Sequence, residues 1–172
     1  MKYIIPSGQN KSCPLLPLGG FAGPKTHKWI VTFDENCLYP QQYLKGENYD
    51  GYSKLCGIAF NPLKPNDNTV MCGWRSKDGV IKITPYFNTN GENIKNENNE
   101  LSVNPKDLVE IIITIVNNIC VVNITSKEKT VTDHLIFNQT YGFLGIFHTI
   151  NFWFGGQLPA PNLVSANINK II

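Results

Sequence analysis

The sequence from Thr69 to Phe87 reads TVMCGWRSKDGVIKITPYF and consists of two apolar runs joined by a turn. The runs, Thr69–Arg75 and Val80–Phe87, flank the dipeptide Asp78-Gly79. An Asp-Gly pair is among the strongest short signals for a β-hairpin, because both central positions of the favoured turn need a positive φ. The sequence therefore predicts two antiparallel strands joined by a tight turn.

A second hairpin is predicted further along the chain. Val109–Val116 and Ile119–Thr125 are rich in β-branched residues, and Asn117-Asn118 separates them. Such residues favour strands, and an Asn pair suits a two-residue turn. The first run lacks a clear polar alternation, which predicts a strand covered on both faces.

Shorter apolar runs predict the remaining strands, and Pro, Gly and Asn clusters separate them. Asn93–Asn99 is polar and is expected to be a loop, whereas only Pro105–Val109 could supply a helical turn. About nine or ten short strands without an amphipathic helix predict an all-β protein, an antiparallel β-sandwich over residues 27–172. The further predicted strands are Lys2–Ile5, Trp29–Phe33, Leu55–Phe60, two within Phe143–Phe154, and Leu163–Ile172.

Residues 1–26 differ from the rest of the chain because four prolines and four glycines are interspersed among them. This composition excludes a regular helix and predicts an extended N-terminal arm. The arm has too many apolar side chains for a solvated tail, so we expect it to lie across its own domain or a neighbouring chain. The predicted partner-binding residues are Tyr3, Ile4, Ile5, Leu15, Leu16, Leu18 and Phe21.

Charge and cysteine usage exclude several classes of protein. The net charge is +2, and fourteen scattered lysines accompany one arginine, which argues against a nucleic-acid-binding protein. The longest apolar stretch, Ile111–Val116, is too short to span a bilayer, and Met1–Asn10 lacks the features of a secretory signal. The cysteines form no CxxC pair, so we expect free thiols and a reducing compartment, with Cys56, Cys72 and Cys120 buried.

The sequence offers no recognisable catalytic constellation. Most carboxylates fall in predicted turns, the serines lack a G-x-S-x-G context, and the three histidines lack metal-binding spacing. His148 has apolar neighbours, which favours a core or interface position, and Asn66-Asp67-Asn68 is better explained as a solvated turn than as half of a Ca²⁺ site. We therefore expect a protein that is not an enzyme, with no catalytic residues, metal or cofactor.

Aromatic residues supply the main candidates for ligand binding. In a strand, Phe152 and Phe154 would share one face and Trp153 would lie on the other, where it could stack on a sugar ring or anchor a protein. Trp74 and Trp153 are thus the candidate ligand-binding residues. Arg75 is expected to stack or to pair with a loop carboxylate such as Asp78.

Three segments together resemble a known family. They are FDENCLY (Phe33–Tyr39) with KLCGI (Lys54–Ile58), CGWR (Cys72–Arg75) continuing to Ile83, and WFGGQLPAP (Trp153–Pro161). Over residues 28–172 the chain resembles a β-sandwich family, concanavalin-like and of jelly-roll type, found in gut Bacteroidota and in their crAss-like tailed phages. The resemblance implies this fold and either a virion component or a glycan-binding module. No catalytic residues are established for the family, so none is carried over.

The resemblance also implies a strand order and a function. In such jelly rolls the terminal strands lie side by side, so Trp29–Phe33 and Leu163–Ile172 are expected to pair antiparallel. The favoured function is a structural virion protein, an auxiliary or decorating capsid subunit of a tailed phage. It would be made in the bacterial host cytoplasm and bind other capsid proteins in many copies. The alternative is a non-catalytic carbohydrate-binding module. Contacts of residues 1–26 with another chain would favour the capsid subunit. A groove lined by exposed tryptophan would favour the carbohydrate-binding module.

Overall fold

The computed structural model describes most of the chain. The regions described are residues 1–13, 20–22, 26–39, 51–60, 68–96, 98–117, 119–136, 146–150, 152–155 and 159–171. Within these ranges the chain forms thirteen β-strands and one short 3-10 helix, Glu35–Cys37. In the described ranges no helix is long and apolar enough to cross a membrane. The strands are β1 (Lys2–Ile5), β2 (Gly20–Ala22), β3 (Thr26–Phe33), β4 (Ser53–Ala59), β5 (Asn68–Lys77), β6 (Val80–Thr89), β7 (Glu92–Lys95), β8 (Leu101–Val103), β9 (Val109–Val116), β10 (Ile119–Ser126), β11 (Lys129–Ile136), β12 (Ile146–Ile150) and β13 (Val164–Lys170).

The strands form two antiparallel sheets that pack face to face. The six-stranded sheet has the order β1-β13-β3-β9-β10-β11. The seven-stranded sheet has the order β2-β12-β4-β5-β6-β7, and β8 also pairs with β6. This confirms the predicted antiparallel β-sandwich. The predicted pairing of the terminal strands is also confirmed, since β3 and β13 run side by side from Phe33–Ala166 to Trp29–Lys170.

Tight turns set the register of the hairpins. Asp78 and Gly79 have φ values of 54° and 74°, as the Asp-Gly signal predicts, and β5 pairs with β6 over their whole length. Asn90 and Gly91 similarly connect β6 to β7 with φ values of 52° and 82°. The sequence allowed a helical turn at Pro105–Val109. In the structure Lys106 of this segment has a φ of 69° and lies in a turn that is not helical.

Several local predictions are wrong or incomplete. The N-terminal arm contains a second strand, β2, beyond the predicted Lys2–Ile5, and β8 was not predicted. Asn93–Asn99 was expected to be a loop, but its first residues belong to β7, whose side chains are all exposed. The sequence also missed β11, because an exposed edge strand needs no apolar alternation. The strand β9 is covered on one face only: its odd-numbered residues from Val109 to Ile115 are buried, while Ile112 on the opposite face is half-buried.

A cluster of aromatic rings around Trp74 occupies the core between the sheets. Trp74 of β5 has 0% of its surface exposed. Its ring centroid lies 5.5 Å from those of both Phe33 and Phe152, and 6.1 Å from that of Phe154. The two phenylalanines at 152 and 154 are both buried and Trp153 is half-buried, which confirms the predicted alternation.

The described part of the N-terminal segment is extended and lies along its own domain. β1 pairs with β13, and Tyr3 and Ile5 are 2% and 0% exposed in the core. Ile4 and Cys13 exchange backbone hydrogen bonds of 3.0 and 2.7 Å, and the amide of Phe154 donates to Asn10 O at 2.8 Å. Tyr3 and Ile5 thus form part of this chain's core, and the binding of another chain by the arm stays a prediction.

The cysteines are free thiols, and most of them are buried. Cys56, Cys72 and Cys120 are buried and unpaired, as predicted. Cys37 is buried as well, whereas Cys13 is exposed. Burial raises the pKa of the Cys120 thiol to about 12, so this thiol stays protonated and unreactive at neutral pH.

Two neighbouring isoleucines test whether the N-terminal segment belongs to the core. Ile5→Ala is expected to lower the free energy of unfolding by about 2–5 kcal/mol, because it leaves a cavity in a fully buried site. Ile4→Ala, at a half-buried position on the same strand, is expected to cost less than half as much. Urea denaturation of both variants measures the difference, and equally small losses would show that the segment adds little to the core.

Candidate functional site

The candidate site is the side of the seven-stranded sheet that faces away from the other sheet, and we call it the outer face. On β5, Val70, Cys72 and Trp74 point into the core, so the residues between them point outward. The register then places Asn88 beside Thr69, and Lys82 beside Arg75. The described residues of the outer face include Lys54, Ala59, Thr69, Met71, Gly73, Arg75, Lys77, Lys82, Thr84, Tyr86, Asn88, Lys95 and Ile150, with Tyr52 and Glu100 above them.

A buried ion pair lies at one end of the outer face. Arg75 Nη2 donates to Glu100 Oε1 at 2.7 Å, and the Tyr52 hydroxyl donates to the same oxygen. The Arg75 guanidinium carbon also lies 4.4 Å from the centroid of the Tyr52 ring, which is a cation–π contact. Lys95 Nζ lies 5.1 Å from the same centroid. The cluster thus combines two cations, one carboxylate and an aromatic ring.

Two glycines allow Tyr52 to approach the sheet. A Cβ atom at Gly73 would lie 2.8 Å from Tyr52 Cβ, which is closer than real side chains come. A Cβ atom at Gly155 would overlap the backbone carbonyl of Tyr52, and the Gly155 amide donates to Ser53 Oγ at 2.9 Å. The absence of side chains at these positions therefore holds Tyr52 over the outer face.

Thr69 and Asn88 form an unusual polar pair in the middle of the sheet. They lie opposite each other on β5 and β6, and they are 0% and 3% exposed. Neither Thr69 Oγ1 nor Asn88 Oδ1 has a hydrogen-bond partner within the described structure. Cβ atoms of such cross-strand pairs are about 4.5–5.5 Å apart. Each unpaired buried polar group costs about 1–3 kcal/mol, so this arrangement is not explained by stability.

Apolar side chains lie next to this polar pair. Met71, Ala59 and Ile150 form a small buried cluster on the outer face, and the half-buried ring of Tyr86 packs against it. In register, Met71 lies beside Tyr86, one row away from Thr69. The face therefore offers an apolar surface and unpaired hydrogen-bonding atoms side by side.

The two tryptophans that we predicted from the sequence to bind a ligand lie in different environments. Trp74 lies in the core, on the face of β5 opposite to Arg75, so its ring is not available to stack on a ligand. Trp153 is half-buried, and its amide donates to Lys54 O at 2.9 Å, at the border of the outer face. Lys11 Nζ lies 5.4 Å from the centroid of the Trp153 ring. Arg75 stacks on an aromatic ring and pairs with a loop carboxylate, as expected, but this carboxylate is Glu100 and not Asp78.

Several other sequence predictions fall on or near this site. His148 lies in β12, and its backbone is in register with Ala59. Phe21 lies in β2, which pairs with β12. Leu15, Leu16 and Leu18 lie outside the described residues, as does most of the Asn66–Asn68 segment. Sequence reasoning did not identify Tyr52, Thr69, Asn88 or Glu100 as site residues. One signal for Thr69 was present: it lies an odd number of residues from Trp74 on the same strand, so the two side chains lie on opposite faces of the sheet.

A second polar depression, of about 650 Å³, lies where β1, β3 and β13 meet. Asp34 at its centre accepts hydrogen bonds from Ser165 Oγ at 2.6 Å and from Lys106, and pairs with Lys2 at 3.0 Å. The hydrogen bonds from Lys106 and Ser165 hold the pKa of the Asp34 carboxyl well below its usual range. Since these partners belong to the chain itself, we assign this carboxylate a structural role that ties the N-terminal strand to the sheet.

Metal binding has no support in the described ranges. They contain no group of three or more His, Cys, Asp or Glu side chains that could hold a metal ion.

The comparisons with known proteins support the fold. No family model and no curated protein matches the sequence. Among solved structures, the Bacteroides ovatus Xyloglucan PUL GH43B matches with a TM-score of 0.54 and 12% identity, over 85% of this chain and 27% of that chain. The alginate lyase from Klebsiella pneumoniae matches with a TM-score of 0.51 and 8% identity, over 85% of this chain and 59% of that one. This chain thus has a β-sandwich fold similar to parts of these longer proteins, consistent with a concanavalin-like jelly roll.

A double-mutant cycle tests the ion pair in the candidate site. Glu100→Gln is expected to lower the free energy of unfolding by about 3–5 kcal/mol, because Arg75 is left buried without its carboxylate. The double variant with Arg75→Met should lose less than the sum of the two single losses. The more accessible surface pair Lys28–Glu110, with about a third of each side chain exposed, is the control, and Glu110→Gln should cost less than about 1 kcal/mol. Additive losses at Arg75 and Glu100, measured by chemical denaturation, would contradict this coupling.

Proposed function

We propose that this protein binds carbohydrate on the outer face without transforming it. Both solved structures of similar fold have names that refer to polysaccharides, xyloglucan and alginate. Similarity of fold alone is a weak argument for function, so the proposal depends on the chemistry of the site.

The pair of unpartnered polar atoms carries the proposal. A sugar hydroxyl is both a donor and an acceptor, so it can donate to Asn88 Oδ1 and accept from the Thr69 hydroxyl. These two side chains lie opposite each other on adjacent strands, and because both atoms are buried, a sugar hydroxyl pairs with them only when the face opens to admit the ligand. The cost of leaving them unpaired in the free protein is offset when a polyhydroxylated ligand binds.

Neighbouring side chains add the apolar contact that sugars need. A pyranose ring has an apolar C–H face, which packs on aromatic rings and aliphatic side chains. The half-buried ring of Tyr86 supplies such a surface near the Thr69–Asn88 pair, and Met71 is buried beside it. Trp153, half-buried at the border of the face, would extend it.

The virion function has less support from the observed contacts. Its main argument was an apolar N-terminal arm that needs a foreign surface, yet Tyr3 and Ile5 are buried within the same chain. The capsid-subunit function therefore stays a prediction from the sequence resemblance. The side chains of the outer face provide a more specific argument for carbohydrate binding than the N-terminal arm provides for the capsid function.

Thr69→Val and Asn88→Leu test the proposal by separating binding from stability. With the wild type titrated against a panel of soluble polysaccharides, each variant is expected to bind about 5- to 100-fold more weakly. Because each substitution removes an unpaired buried polar atom, the free energy of unfolding should stay the same or rise. Carbohydrate products are assayed in parallel, and none is expected.

Thr125→Val is the matched control. Thr125 lies in the other sheet, where its hydroxyl is bonded to that of Thr130 at 3.0 Å, so glycan binding should not change. A wild-type protein that binds no polysaccharide would contradict the proposal. So would Thr69 and Asn88 variants that bind normally but unfold more easily, since that result assigns the pair a structural role.

A further inference from the structure

We infer that Cys56 and Cys72 form an intramolecular disulfide bond when the chain folds in the presence of a small disulfide such as oxidised glutathione. The two cysteines lie in the core, where β4 pairs with β5, on the side of the sheet opposite to the outer face. The cross-link is a modification site of the core and is independent of the proposed carbohydrate binding. In a reducing compartment both thiols stay free.

The pairing of the strands places the two cysteines at bonding distance. Cys56 and Cys72 lie directly opposite each other on neighbouring antiparallel strands. Cα atoms of opposed residues are about 4.5–5.5 Å apart, which is within the range of roughly 4.4–6.8 Å that disulfides span. The register shifts by a β-bulge between Lys54 and Cys56, so the consecutive residues Leu55 and Cys56 both belong to the core. The bulge therefore places both thiols on the same side of the sheet.

The two strands also approach each other closely beside the cysteine pair. Gly57 follows Cys56 and is in register with Met71. A Cβ atom at Gly57 would overlap Met71 Cβ, whereas the Cβ atoms of opposed residues are ordinarily about 4.5–5.5 Å apart. A disulfide draws its two Cβ atoms to about 3.5–4.5 Å. The close approach of the strands at this point therefore favours the bond.

The other two buried cysteines have different neighbours. Cys120 lies in the six-stranded sheet, where it is in register with Ile115 and Leu135. Cys37 lies in the 3-10 helix, and its thiol donates to Ser165 O at 3.1 Å. The strand pairing thus selects one pair among the four buried cysteines.

Burial determines when the bond can form. Thiol–disulfide exchange needs a thiolate. Burial raises the pKa of the Cys56 thiol well above its ordinary value, and hydrogen bonding with the Cys72 thiol raises it further. The two residues are 1% and 0% exposed, so an oxidant does not reach them in the folded protein. The bond therefore forms while the chain folds, and the same burial then protects it from reductants.

The reaction is two successive exchanges with oxidised glutathione. The thiolate of one cysteine attacks a glutathione sulfur, which forms a mixed disulfide and releases one glutathione thiolate that takes up a proton. The thiolate of the other cysteine attacks the cysteine sulfur of the mixed disulfide and releases the second glutathione. The two cysteines are oxidised by two electrons, and one glutathione disulfide is reduced to two thiols. The product closes a loop of roughly 15 residues, which restricts the unfolded chain and stabilises the fold.

The experiment compares two refolding conditions for the full-length chain. The chain carries Cys13→Ser, which removes the exposed thiol, and is refolded with oxidised glutathione or with dithiothreitol. Free thiols are alkylated, and disulfides are mapped by mass spectrometry of peptides. We expect a Cys56–Cys72 disulfide with oxidised glutathione, and a melting temperature about 5–10 °C above that of the reduced protein. Protein that is already folded should react with oxidised glutathione at least about tenfold more slowly.

Cys120→Ala is the matched control, because it removes a buried thiol from the other sheet and should keep both the cross-link and the temperature shift. Cys72→Ala should lose both, and the comparison of refolding conditions in one protein does not depend on how well this variant folds. Absence of the Cys56–Cys72 disulfide, or disulfides formed equally among all the cysteines, would overturn the inference. A cross-linked protein that melts at or below the temperature of the reduced one would overturn it too, because the bond would then strain the native strands. Equal reaction rates before and after folding would overturn the assignment of the bond to the folding step.

Discussion

The packing of Trp74 between the two sheets determines how the candidate site is oriented. A strand alternates strictly, so burying this indole among Phe33, Phe152 and Phe154 forces Gly73 and Arg75 onto the opposite side. A slip of one residue would move this indole out of the core and place the arginine between the two sheets instead. The aromatic core thus fixes which residues form the outer face, even though it contributes no atom to the face itself.

Much of the fold could be predicted because its signals are local. The Asp78-Gly79 turn even determines the register of the central hairpin, and counting back from it places Thr69 opposite Asn88. Of the strands that were missed, β7 and β11 are polar and lie at sheet edges, whereas β2 and β8 are only three residues long. The two-residue turn that leads into β11, Lys127-Glu128, lacks the Gly or Asn that marks the other turns, although Lys127 has a φ of 55°.

The candidate site was less predictable because it depends on long-range contacts. Glu100 reaches Arg75 and Tyr52 from a loop that is 25 and 48 residues away in sequence, and no local pattern indicates that these side chains meet. The sequence predicted Trp74 as a ligand-binding residue because tryptophans commonly stack on sugars. Only the three-dimensional structure shows that Trp74 is buried in the core, and that Thr69 and Asn88 are buried with side-chain oxygens that have no partner within the described structure.

The loop before β8 contacts both the candidate site and the edge strand β11 of the other sheet. Asn99 Nδ2 donates to Thr132 O at 2.8 Å and so occupies a backbone acceptor of β11, which is the last strand of the six-stranded sheet. Open edges of this kind recruit strands from other molecules and lead to fibres. The next residue, Glu100, belongs to the candidate site. Sequence changes in this loop therefore affect two features at once, the buried Arg75–Glu100 pair and the protection of the edge strand β11.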